Sequence, residues 1–204
     1  MTAISCQFEL MFRVTIPLVL FANLCLAAGP YLGNGVKVGE VDQSSALVWV
    51  RLTASPTADF DRMPILTQGL AKGEPDEGRM PVDLLPGANG ECLVLYTAAS
   101  HGAAPVQTSG WVQVDPGDDF IAQVHLEDLS PNTRYNYQVW ARPAAGEKPS
   151  ATLQGSFQTA PEKSTEAPVR FIVTTCQAVR SIDSGAEGHQ TYRQMLALRP
   201  HFFV

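Results

Sequence analysis

The stretch LEDLSPNTRYNYQVWA, residues 126–141, decides how the larger part of this chain folds. A turn-forming Pro-Asn pair is followed by a run in which Tyr135, Tyr137 and Val139 alternate with polar residues. Alternation with a period of two places these three side chains on one face of a strand. The sequence therefore predicts a half-buried β-strand that begins directly after a tight turn.

The same stretch resembles the L-x-P-x-T-x-Y-x-Y-x-V pattern of fibronectin type III domains. In such sandwiches a tyrosine places its ring in the core while its hydroxyl bonds back to the main chain, an arrangement called a tyrosine corner. We expect this role for Tyr135, with the hydroxyl reaching the backbone near Leu129. The sequence GSFQTAP at 155–161 resembles the last strand of the same fold. Because this fold serves many roles, it says little about function.

Further short strands are expected on both sides of this stretch. Apolar and β-branched runs, separated by clusters of Gly, Pro, Asn and Asp, occupy residues 46–53, 91–98, 111–115, 120–126, 135–141 and 153–160. Such spacing favours a sandwich or a barrel. The overall prediction is a mainly β protein with a fibronectin type III-like β-sandwich over 29–161. Trp49 is expected to pack between the two sheets, and residues 54–91 are predicted to form an irregular insertion.

An apolar run behind Arg13, residues 14–28, predicts a signal peptide over residues 1–28. The run is too short for a membrane span, so no span is expected after processing. A retained anchor is the alternative interpretation. The residues before Arg13 contain Glu9 and no base, so Met11 makes a better start than Met1. The mature protein is expected to be secreted or periplasmic.

Charge and cysteine usage exclude several classes of partner. The net charge is −6, the pI is near 5.1, and no run of Lys and Arg occurs. A nucleic-acid partner and an anionic membrane surface are therefore not expected. Cys6 and Cys25 fall in the leader, which leaves Cys92 and Cys176 and no disulfide framework. Two interpretations of Cys92 stay open, a core residue in a strand or a bridge to Cys176.

The pattern changes after a polar, proline-bounded stretch at 162–168 that predicts a linker. Residues 169–175, VRFIVTT, form a continuous apolar run typical of a buried strand in a parallel sheet. A helix is expected from about Glu187 to Pro200, and HFFV then begins another strand. The helix would be capped by Asp183 or Ser184, and its apolar face would contain Tyr192, Met195 and Leu196. This order predicts one βαβ unit.

Cys176 follows the first strand of that unit, where ligands collect in open α/β sheets. Its position alone leaves two interpretations open: a thiolate that acts as nucleophile or metal ligand, or a small buried hydrophobe. The order of features is more specific. A secreted sandwich, a linker, F-I-V-T-T-C-Q and then G-x-x-x-Y-R-x-M resemble the PhoD-type alkaline phosphatases (alkaline phosphatase D family). The stretch at 29–53 also resembles the opening of that family's N-terminal domain.

The resemblance implies that Cys176 is an iron ligand in an iron and calcium cluster that hydrolyses phosphomonoesters or phosphodiesters. The family's other ligands follow its second strand, and none of them occurs in these residues. Residues 169–204 are thus expected to be the truncated start of a metallophosphatase domain, inactive as it stands, with a phosphoester substrate for the longer parent only. The alternative is a secreted fibronectin-like binding module without catalysis. A purple-acid-type enzyme is disfavoured, because it needs aspartate where Cys176 stands.

Other candidate residues have plainer interpretations. His189 could be a ligand, but a capping or exposed histidine is the simpler reading. Asp183 and Glu187 could form an acid pair, yet they suit a helix N-terminus equally well. His201 stands where the pattern of the PhoD-type family commonly has an acidic residue. His101 and His125 fall in the sandwich and receive no role.

Overall fold

The computed structural model describes residues 29–59, 84–99, 104–175 and 189–204. The predicted leader at 1–28 lies outside these ranges, as do residues 60–83 of the predicted insertion. His101 and the segment 176–188, which contains the predicted ligand Cys176 and the predicted helix caps, also lie outside them.

Two antiparallel sheets form the larger part of the described chain, as the sequence predicts. Their strands are β1 (Val36–Gly39), β2 (Ala46–Arg51), β3 (Glu91–Ala98), β4 (Gln107–Gln113), β5 (Ile121–Leu126), β6 (Arg134–Arg142) and β7 (Ala151–Gln158). One sheet has three strands in the order β1-β2-β5, and the other has four in the order β4-β3-β6-β7. A short 3₁₀ turn, Pro116–Asp118, precedes β5. The protein is mainly β, with the architecture of a β-sandwich.

The core lies between the two sheets, and most strands alternate between buried and outward-facing side chains. Inward-facing side chains from both sheets are buried, among them Val48, Val50, Val94, Val124 and Val139. Their neighbours along each strand face outward, and on β5 and β6 most of these neighbours are polar and exposed. An antiparallel sheet with one solvated face produces this pattern.

The expected position of Trp49 is wrong. Ala46, Val48 and Val50 point into the core, so the alternation of β2 turns Trp49 to the outer face. There the Lys37 ammonium lies 4.9 Å from the centre of its ring, in a cation–π contact. Every residue from Ala46 to Val50 is apolar, so the local sequence does not indicate which of its two faces is buried.

Tyr135 forms the predicted tyrosine corner. The backbone amide of Ser130 donates a hydrogen bond of 2.8 Å to the Tyr135 hydroxyl, one residue from the expected position. The ring is buried and stacks on Phe157, with 5.5 Å between the ring centres. The corner thereby ties the turn before β6 to the core.

The two described ends of the predicted insertion lie side by side. The amide of Ala54 donates to the carbonyl of Pro86, and the amide of Asp59 donates to that of Leu84, both at 2.8 Å. Beside them the buried Arg51 donates to the carbonyl of Leu85 at 2.7 Å. The chain therefore leaves and re-enters the sandwich at one point of its surface.

The expected βαβ unit is present in a shorter form. β8 (Phe171–Ile172) and β9 (Phe202–Phe203) pair in parallel, and α1 (Gln190–Ala197) precedes β9. The helix begins three residues after the expected Glu187, with His189 at its N-cap. β8 is much shorter than the predicted 169–175, because β9 offers it only a short run of partners. No helix within the described ranges is long and apolar enough to cross a membrane.

Candidate functional site

The carboxyl ends of β8 and β9 lie level with each other. The amide of Val204 donates to the carbonyl of Ile172, and the amide of Thr174 donates to the carbonyl of Val204, both at 2.8 Å. This edge is where parallel α/β sheets gather ligands. Cys176 comes two residues after Thr174 in the sequence and lies outside the described residues, so its role as a metal ligand stays a prediction.

The residues that the structure describes do not by themselves hold a metal. Nowhere in 29–59, 84–99, 104–175 or 189–204 do three His, Cys, Asp or Glu side chains come together as a metal site. We therefore derive no chemical step through iron or calcium from this geometry.

Three of the candidate histidines, His125, His189 and His201, lie within the described residues. His189 makes no side-chain capping bond at the start of α1, and its ring meets Tyr192 edge-on at 6.0 Å. His125 is exposed on the outer face of β5, opposite Leu47. His201 accepts a hydrogen bond at Nδ1 from the backbone amide of Arg170, at 2.9 Å. None of these contacts brings two of the described histidines together.

Cys92 is a core residue, as one of its two interpretations predicted. Its side chain is fully buried in β3, and the thiol is free rather than bridged. Burial raises the pKa of the Cys92 thiol to about 11, because the thiolate would lose its hydration. Cys92 is therefore neutral at physiological pH and packs as a small hydrophobe.

Two charged clusters were missed by the sequence reasoning. Arg142 lies over the ring of Trp111, 3.7 Å from its centre, and its Nε donates to Glu91 at 2.7 Å. Arg51 donates two hydrogen bonds to the Asp119 carboxylate, from Nε to Oδ2 at 2.9 Å and from Nη2 to Oδ1 at 2.8 Å. Arg142 and Glu91 are 51 residues apart and Arg51 and Asp119 are 68 residues apart, so no local sequence pattern indicates either pair.

The Asp119 pair also has an electrostatic consequence. Hydrogen bonds from Arg51 lower the pKa of the Asp119 carboxyl below its ordinary value, and they outweigh the opposing effect of desolvation. The carboxylate is therefore the favoured form in the folded sandwich. Both charged clusters join loops or strands to each other, and neither gathers donors for a ligand.

Comparison with solved structures finds several structures of low sequence identity to this chain. A structure of PhoD is 20% identical with a TM-score of 0.48, and the match covers 74% of this chain and 23% of that one. A computationally redesigned β-sandwich protein is 18% identical with a TM-score of 0.34, over 63% and 93% of the two chains. The sensor domain of the anti-sigma factor RsgI4 from Pseudobacteroides cellulosolvens is 16% identical with a TM-score of 0.32, over 62% and 91%.

The chain thus spans less than a quarter of the length of the PhoD structure that it matches. No curated protein matches it. The sequence profile of the family described as PhoD-like phosphatase, N-terminal domain, matches residues 26–161, which is more than half of the 204 residues. These residues include the whole sandwich and its tyrosine corner, and the chain belongs to the PhoD-like phosphatase N-terminal domain family.

Proposed function

We propose that this chain is the N-terminal part of a secreted or periplasmic PhoD-like metallophosphatase that hydrolyses phosphomonoesters or phosphodiesters. The observation that carries the proposal is the family match over 26–161, followed directly by a parallel βαβ unit that lies outside the matched domain. Antiparallel sandwiches need no such unit for their own core. A parallel pair of strands joined through a helix is the basic element of an α/β domain.

The proposed organisation keeps the boundaries inferred from the sequence: a leader at 1–28, the sandwich at 29–161, a linker at 162–168 and the start of the catalytic domain at 169–204. The contacts around the linker support its first boundary. The amide of Ala160 donates to the carbonyl of Asp42 at 2.9 Å, and Gln43 Nε2 donates to the carbonyl of Pro161 at 3.2 Å. Beyond Pro161 the linker residues are exposed.

Within this proposal Cys176 supplies a thiolate ligand at the carboxyl edge of the parallel pair. Thiolates bind redox-capable transition metals better than calcium, which accords with iron at this position and calcium held by oxygen donors elsewhere. When bound, such a cluster would polarise a phosphoester and stabilise its developing charge. Within the described residues, the carboxyl ends of β8 and β9 form this edge of the sheet.

The experiment compares the 204-residue chain with the longest product of the same gene, using iron, calcium, a phosphomonoester and a phosphodiester. The longer product is expected to hydrolyse at least one substrate, and the 204-residue chain neither. In the longer product Cys176→Ser should lower both iron content and kcat, while Cys92→Ala, which removes the buried core thiol, should change neither strongly. Turnover by the pure 204-residue chain, or full iron content in Cys176→Ser, would overturn the proposal.

The second candidate is a β-sandwich binding module without catalysis. It is favoured by the sandwich itself, which closes its own core within the described residues. The coding sequence beyond Val204 separates the two candidates. A Gly-Asp pair within a few codons, with later Asn and His motifs, supports the enzyme, whereas an immediate stop codon supports the module.

A further inference from the structure

We infer that Arg170 and His201 are positioning residues that set the register of β8 against β9. Their effect is to keep the carboxyl ends of the two strands level, with Val204 beside Thr174. The inference rests on the proposed function, because the level of these ends matters for chemistry only if the edge carries a site. It concerns residues at the opposite, amino-terminal end of the same two strands.

The main chain alone specifies this register weakly. Only two residue pairs form the ladder, Phe171 with Phe202 and Ile172 with Phe203. The rings of Phe171 and Phe202 stack with their centres 5.5 Å apart and their planes 7° apart. A shift of one residue would bring Phe203 opposite Phe171 and restore a Phe–Phe pair. Aromatic stacking therefore does not distinguish the two registers.

The hydrogen bonds between His201 and Arg170 distinguish the two registers. Its backbone amide donates to the carbonyl of Arg170 at 2.8 Å, and its Nδ1 accepts the amide of Arg170 at 2.9 Å. Both backbone groups of Arg170 are thus satisfied by one residue. A shift by one position would place Pro200 or Phe202 there, and neither side chain can accept a hydrogen bond. Only the observed register satisfies the Arg170 amide in this way.

Arg170 also forms a hydrogen bond with the end of the helix. Its Nη1 donates to the carbonyl of Leu198, the C-cap of α1, at 2.7 Å. A cation at a helix C-terminus is favoured by the unpaired carbonyls and by the helix dipole. Arg199 lies between Leu198 and His201 with a φ of 49°, so the chain turns sharply there. The end of α1 and the starts of β8 and β9 are therefore held at one point.

The test measures amide exchange and interstrand NOEs by NMR on the whole 204-residue chain. His201→Ala should speed exchange of the Thr174 and Val204 amides about five- to tenfold, which corresponds to one lost hydrogen bond. It should also produce NOEs between Phe171 and Phe203. His201→Asn places an acceptor oxygen near the position of Nδ1 and should restore both readouts. Amides of the sandwich strand β6 should be unchanged, and they report that the protein is folded.

A purely stabilising role would raise the exchange rates without creating the shifted NOEs, and that result would overturn the inference. Unchanged rates in His201→Ala, or a shift that His201→Asn does not reverse, would also overturn it. The proposed function fails separately, through full activity of Cys176→Ser in the longer product. In that case a register change in His201→Ala would still establish that His201 sets the register of β8 against β9.

Discussion

The sandwich buries large apolar side chains in its core, whereas the βαβ unit leaves several of its own exposed. Val48, Val50, Val94 and Val139 are completely buried between the two sheets. In the βαβ unit Phe171 is 55% exposed, Phe202 is 49% exposed and Leu196 is 70% exposed, and α1 buries none of its residues. The same kinds of side chain thus form a closed core in one region and an open surface in the other.

This difference follows from the two kinds of sheet. Antiparallel strands with one polar face need a single apolar layer, which the second sheet of the sandwich provides. Parallel strands are apolar on both faces, and they occur almost only where both faces are covered. Within the described residues the sandwich meets its requirement and the βαβ unit does not. We expect the two regions to respond differently to each of the following perturbations.

Proteolysis should separate the two regions most strongly. Cleavage within 169–204 should be on the order of a hundredfold faster than cleavage within the sandwich, because local opening there requires far less free energy. Limited digestion with a protease of broad specificity, followed by mass spectrometry, measures this ratio. Equal resistance of both regions would contradict the comparison.

Truncating one leucine in each region should give contrasting losses of stability. Leu126 is 1% exposed, and Leu126→Ala should lower the free energy of unfolding by about 2–5 kcal/mol. Leu196→Ala is the matched control in the exposed helix and should change it by less than about 0.5 kcal/mol. Denaturant unfolding monitored by tryptophan fluorescence follows the sandwich, where all three tryptophans lie. Similar losses of stability in the two variants would contradict the burial of Leu126 and the exposure of Leu196.

The tyrosine corner should contribute a smaller, specific amount to the sandwich. Tyr135→Phe leaves the buried ring in place and removes the acceptor of the Ser130 amide. The expected loss is about 1–2 kcal/mol, and the same unfolding experiment measures it. Tyr137→Phe removes a hydroxyl from the same strand without affecting the bond to Ser130, and it should cost less. If Tyr135→Phe were neutral, the corner would have no part in holding the turn.

The smallest expected effect is on the pH dependence of the sandwich. The pKa of Asp119 is lower in the folded state than its ordinary value of 3.8, because Arg51 stabilises the carboxylate. The unfolded chain therefore binds this proton more readily, and the contribution of Asp119 is present above that value and lost as the pH falls below it. Asp119→Asn should reduce the fall in Tm between pH 5 and pH 3. An identical fall in both proteins would show that the pair does not affect stability.

Much of the sandwich could be predicted because its signals are local. The turn before β6 and the alternation of Tyr135, Tyr137 and Val139 depend on residues within a few positions of one another, and the corner forms one residue from its expected place. The outer position of Trp49 could not be predicted, because both faces of β2 are apolar and the choice depends on the sheet packed against it. The Arg51–Asp119 pair likewise depends on contacts between distant segments.

For the candidate site, the sequence predicted the parallel pair and the helix, and both are present. The role of Cys176 as a metal ligand, which the family resemblance implies, stays a prediction. The sequence did not predict how β8 and β9 are aligned, because two adjacent phenylalanines in β9 permit two similar pairings. The polar contact between Arg170 and His201 distinguishes them, and neither residue carries a local pattern that indicates such a contact.

The sequence by itself determined a series of short strands and then a βαβ unit, since periodicity and turn chemistry act between near neighbours. Its resemblance to fibronectin type III domains implied the β-sandwich and the tyrosine corner. Only the tertiary structure decided which face of β2 is buried, which charges pair across the sandwich and which register β9 takes. Each of these choices depends on residues far apart in the chain, whose proximity exists only after the strands have paired.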